Sequence, residues 1–80
     1  MKARTKEYGT INLIGRKVEQ LRKERNFTQK AFLAALQLEG LDINPTSYSK
    51  LEGQIRIASD KEVFYIAKVL GVSMEKLFGN

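Results

Sequence analysis

Between Thr28 and Arg56 the chain has two helix starts and one helix stop. Thr28-Gln29 opens a helix whose apolar side is Phe32, Leu33 and Leu36, and the Thr28 hydroxyl suits a cap, accepting from an N–H two or three residues on. Gly40 supplies the left-handed residue that ends such a helix, which is expected to run to about Leu38. Asn44 caps the next one, and Pro45 takes its first position, where a missing N–H costs nothing. In the run Thr46-Ser47-Tyr48-Ser49-Lys50-Leu51-Glu52, helical spacing turns Tyr48 and Leu51 inward, with Ile55 beyond them, and leaves Thr46, Ser49, Lys50 and Gly53 outward.

Similar signals place three more helices around this pair. Ile11, Ile14, Val18 and Leu21 fall on one side of a helix expected from about Asn12 to Arg25. Gly15 inside it is a mild weakness or the point where another helix comes close. Asn26 ends that helix and Phe27 is expected to plug the core. Ser59 or Asp60 caps a fourth helix with a stripe of Val63, Ile66, Ala67 and Leu70, which Gly71 stops; Ser73 caps a last one, Met74 to Phe78. Five helices and no strand make an all-α fold. Residues 1–10, with Lys2, Arg4 and Lys6, read as a flexible basic arm, and residues 11–80 as the single helical domain. A chain of 80 residues is long enough to fold without staples.

Composition removes whole classes of chemistry. There is no Cys and no His, hence no disulfide, no thiolate nucleophile, no ordinary zinc site and no His general base. The acidic residues form no metal-ligand cluster, and Gly15-Arg16-Lys17 is too short for a phosphate loop. An enzyme is not expected, nor is a cofactor or small-molecule site. No apolar run approaches the ~18 residues that a membrane span needs, and a cytoplasmic protein is expected. The net charge is +5, with nine Lys/Arg against three Asp/Glu in residues 1–30 and five against six in the rest. Together with a pI near 9.7, that asymmetry favours an anionic partner.

A helix that enters the major groove of DNA needs short polar side chains near its N-terminus, flanked by groups that hold phosphate. The helix after Asn44 meets this requirement. Lys50 carries donors for the acceptor edge of guanine, Ser49 and Thr46 suit several bases, and the Thr46 methyl or the Pro45 ring suits a thymine methyl. Thr28 and Gln29 stand at the start of the preceding helix, where free N–H groups and the helix dipole favour a phosphate. The Gln29 amide adds a further bond to it.

Taken in order, Ile14-Gly15, Leu21-Arg22, Thr28-Gln29, Leu36, Ser49-Lys50-Leu51-Glu52, Arg56 and Ala67-Lys68-Val69-Leu70-Gly71-Val72-Ser73 followed by Leu77 resemble the Xre-type helix-turn-helix proteins, the family of lambdoid phage repressors and Cro. The resemblance implies a five-helix lambda-repressor-like domain, double-stranded DNA with a two-fold operator as partner, and a homodimer. It implies base contacts from Pro45, Thr46, Ser49 and Lys50. It implies phosphate contacts from Gln29, from Asn44 at its cap and from Arg56 in the following loop. It also implies a structural ion pair between Arg22 and Glu52.

Four departures stand out. The connection Leu36-Gln37-Leu38-Glu39-Gly40-Leu41-Asp42-Ile43 is about five residues longer than usual, which marks a long-turn subgroup. Leu33 stands where a small residue is common. Gly53 directly follows Glu52, and Gln54 occupies the position where the family has its glycine. Ala58 replaces the proline of the next loop. The reading that results is a sequence-specific repressor of phage or mobile-element type. An antitoxin-type regulator that binds both operator and toxin, and an interaction module that has lost DNA, are the alternatives. With the last helix ending at Asn80, no sensor or second oligomerisation domain is expected in the chain.

Overall fold

The computed structural model describes residues 8–79; the basic residues Lys2, Arg4 and Lys6 of the expected arm lie outside them. Five helices follow in order: α1 (Gly15–Glu24), α2 (Gln29–Glu39), α3 (Pro45–Glu52), α4 (Asp60–Leu70) and α5 (Met74–Leu77). No strand occurs among the described residues. The helices enclose one core in which Phe32 is central, fully buried and in ring contact with Phe27 at 5.4 Å and Tyr48 at 5.8 Å between centroids. Val18 from α1, Leu36 from α2, Leu51 from α3, Ile66 from α4 and Leu77 from α5 close around it, all without exposed surface. Truncating a side chain so placed costs ~3–5 kcal/mol for a Phe.

Helix ends follow the local chemistry of the sequence. Thr28 Oγ1 accepts from Ala31 N at 3.0 Å, Asn44 Oδ1 from Ser47 N at 2.8 Å and Ser73 Oγ from Lys76 N at 3.1 Å. Ser59 and Glu62 form a reciprocal capping box. At the other end of α2, Gly40 takes φ +114°, its N–H reaches Gln37 O, and Leu41 N reaches Leu36 O. This is the Schellman arrangement, with Leu36 and Leu41 as its apolar pair. The long turn that follows is pinned down: Leu41 and Ile43 are buried at 5% and 4% exposure, Asp42 points out, and Gln37 Nε2 donates to Ile43 O at 3.0 Å.

The start of the domain departs from helical expectation. The first helix begins at Gly15 rather than Asn12, because the Asn12 side chain takes the place of a preceding turn: its Oδ1 accepts from Ile14 N at 3.0 Å and Gly15 N at 2.8 Å. Asn12 is buried, and its Nδ2 donates to the carbonyls of Leu51 and Arg56 at 3.0 and 2.8 Å. Ile11, expected in the core, is 59% exposed, since the chain before Asn12 is not helical and no longer follows the helix period.

Tyr8 and Gly9, the described part of the arm's first nine residues, make contacts with the domain. Gly9 N donates to Gly53 O and Ile11 N to Gln54 O, the Tyr8 hydroxyl donates to Glu19 at 2.6 Å, and Arg16 sits over the Tyr8 ring. The approach at Gly9 is close enough that a Cβ would run into the Gln54 carbonyl. The end of α3 corrects two further expectations. Gly53 is buried rather than outward, and Ile55 is half exposed rather than inward. Gln54 adopts φ +62°, and beyond that left-handed residue the helical phase that pointed Ile55 at the core is lost.

Candidate nucleic-acid interface

Pro45, Thr46, Ser49 and Lys50 are all exposed, and i, i+3 and i+4 spacing puts them on one side of α3. The opposite side, Tyr48, Leu51 and Glu52, is buried. The Asn44 side-chain oxygen is spent on its own helix cap, which leaves the amide N–H groups of an exposed residue. Thr28 is placed likewise at α2, its oxygen accepting from Ala31. The first turns of α2 and α3 flank a shallow groove of about 390 Å³ lined by Gln29, Lys30, Leu33, Pro45 and Tyr48. The large side chain at 33 is accommodated by burial beneath that groove. Lys30 was not among the residues that the sequence singled out. It is exposed beside Gln29, and its signal, a cation in the first turn of the helix, is masked by the many cations of residues 1–30.

Beneath the groove lies a buried polar cluster around the Glu52 carboxylate, which has no exposed surface. Arg22 meets it twice, Nε to Oε2 at 2.7 Å and Nη2 to Oε1 at 3.2 Å. The Tyr48 hydroxyl donates to Oε2, and Gln29 Nε2 donates to Oε1 at 3.0 Å. The remaining Arg22 nitrogen, Nη1, donates to Phe27 O at 2.6 Å. One carboxylate thereby joins α1, α2 and α3. Burial works against the Arg22 charge, but the hydrogen bonds and charge of Glu52 leave that guanidinium above its ordinary value. Burial, and then the Glu52 charge, push the Tyr48 phenol far above the usual tyrosine range, so Tyr48 stays a donor. The same region is close-packed at backbone level: a Cβ on Gly15 would collide with the Leu51 and Glu52 carbonyls.

Gln29 and Arg56 therefore have internal partners as well as outward surface. One N–H of the half-buried Gln29 amide goes to Glu52. Arg56 Nη1 donates to Glu62 Oε1 at 2.8 Å and to Ile57 O at 3.2 Å. Burial alone would raise the Glu62 carboxyl; Arg56 and the Ser59 N–H hold it below its ordinary value. Among the described residues no group of three or more His, Cys, Asp or Glu side chains is gathered to hold a metal ion, and no helix is long and apolar enough to cross a membrane.

Compared with known proteins, the sequence matches the model of one family, described as helix-turn-helix, over residues 18–77, three quarters of the chain. No curated protein and no solved structure matches it.

Proposed function

From the premise that this chain belongs to the helix-turn-helix family of Xre, lambda-repressor-like type, a family of DNA-binding regulators, we propose that it is a sequence-specific repressor of phage or mobile-element type, acting as a homodimer on a two-fold operator. In this reading α3 lies in the major groove. Pro45, Thr46, Ser49 and Lys50 face base edges. Thr28, Gln29 and Asn44, with the free N–H groups of the two first turns, meet phosphate, and Arg56 meets a second phosphate cluster through the donors that Glu62 leaves free. Phosphate contacts of this kind set register, whereas base contacts carry the sequence preference.

The observation that supports this most is the division of α3 into two sides. Its polar outer side is exposed and flanked by two capped helix starts, while its inner side is fixed to α1 and α2 through Glu52. A helix presented so rigidly keeps its side chains within reach of fixed base positions. Phe64 and Phe78, each about half exposed, and Tyr65, edge-on to Phe64, are the side chains proposed to face the second copy.

Selection of binding sites from a pool of random duplex DNA at two salt concentrations tests this. The expected result is an inverted repeat with half-sites ~10 base pairs apart, with the preferred base shifting when Lys50 is replaced by Ala. Salt-sensitive binding that enriches no sequence is the electrostatic, non-specific term alone, and it would overturn the repressor reading.

A further inference from the structure

We propose that Tyr48 is a positioning residue for duplex binding: through the Glu52 carboxylate its hydroxyl fixes the Gln29 amide at the first turn of α2, and with it the offset between that turn and the outward side of α3. The proposal rests on the reading that α2 and α3 together meet DNA.

Tyr48 and Gln29 hold opposite oxygens of one carboxylate, Oε2 and Oε1 respectively. The phenol is itself immobile, 1% exposed and packed against Phe32. Its hydroxyl therefore acts as a fixed point that sets the rotation of the Glu52 carboxylate. Arg22 holds both oxygens as well, sharing Oε2 with the phenol, so the hydroxyl adds a second constraint on Oε2 from inside α3. Gln29, in contrast, is half exposed and lines the groove opposite Pro45. A constraint applied inside the core thus ends on an amide at the surface. The bland alternative is that the phenol serves only the stability of α3, and the two differ in a measurable way. A purely structural hydroxyl changes the melting midpoint but not the affinity of molecules that remain folded.

Tyr48→Phe keeps the ring volume and the Arg22 fork on Glu52, so the variant retains the fold. Duplex binding is followed by fluorescence anisotropy on the sequence enriched by site selection, using wild type, Tyr48→Phe, Gln29→Ala and the double variant. All are held at a temperature where circular dichroism shows them folded. The expected result is a loss of about fivefold in affinity for Tyr48→Phe, an unchanged slope of log Kd on log salt because the Gln29 amide is uncharged, and a double variant no weaker than Gln29→Ala alone. In the DNA-free protein, the side-chain amide resonance of Gln29 shifts in Tyr48→Phe. Affinity equal to wild type in Tyr48→Phe, or losses that simply add in the double variant, would overturn the proposal. Wild-type protein that binds no duplex removes the DNA reading itself, a failure distinct from intact wild-type binding that ignores the phenol.

Discussion

Asn12 and Gln54 are clasped across the seam between the first residues of the domain and the end of α3. Gln54 Nε2 donates to the Asn12 carbonyl at 2.9 Å, while the Asn12 amide spans the carbonyls of Leu51 and Arg56 on either side of Gln54. Neither residue lies in a helix, yet together they set where α1 begins and how α3 ends.

Asn12→Ala is expected to be among the more damaging polar substitutions in the molecule. It removes two acceptances and two donations from a buried side chain, at ~1–3 kcal/mol for each group left unsatisfied. Urea unfolding monitored by circular dichroism checks this. A midpoint unchanged from wild type would mean that water replaces the side chain at no cost.

At Gln54 the backbone and the side chain can be separated. Gln54→Ala and Gln54→Gly both lose the bond to Asn12, but only Ala keeps a Cβ at φ +62°. The Gly variant should be the more stable by ~1 kcal/mol. Equal stabilities in thermal unfolding would remove backbone strain from the account of this turn.

Breaking the Glu52 cluster has a different signature. Glu52→Ala leaves Arg22 buried without its partner, which typically costs ~3–5 kcal/mol. The melting point of that variant should fall much further than its base preference changes in site selection. A melting point like that of wild type would show that the cluster contributes little to the fold.

Two pH dependences follow from opposite shifts. Glu62 is held below its ordinary value of 4.5 in the folded chain, so its contribution is present above that value and is lost as pH falls through the lower folded one. Glu62→Gln should flatten the acid limb of the melting curve below about pH 4.5. Tyr48 is raised above its ordinary value of 10.0, so its contribution is complete below pH 10 and fades as the unfolded chain ionises above it. Tyr48→Phe should flatten the alkaline limb. A limb that keeps the wild-type slope in either variant removes that residue from the linkage.

The parts of this fold that sequence reveals are those decided within a few residues. Thr28, Asn44, Ser59 and Ser73 cap helices because their oxygens reach N–H groups one turn away, and Gly40 and Gly71 stop them because a left-handed residue is cheap only there. The outward set on α3 follows from the same short period once Asn44 fixes where the helix starts. The sequence pattern does not locate Asn12, Ile11 and Ile55, because their positions depend on a non-helical segment lying beside a loop some forty residues away, which leaves no periodic trace. The inward bond of Gln29 and the engagement of Arg56 with Glu62 were hidden for the same reason. Each looks like a free surface donor until the neighbouring helix is in place.

Thr46, Ser49 and Lys50 project from a helix that is held entirely from its other side, by its cap, by the buried turn before it and by Glu52 behind it. Exchanging those three side chains therefore leaves the fold's own supports untouched. On the proposed reading of α3, the protein is a mount with replaceable teeth, on which a new target sequence can be tried without first rebuilding what holds the teeth in line.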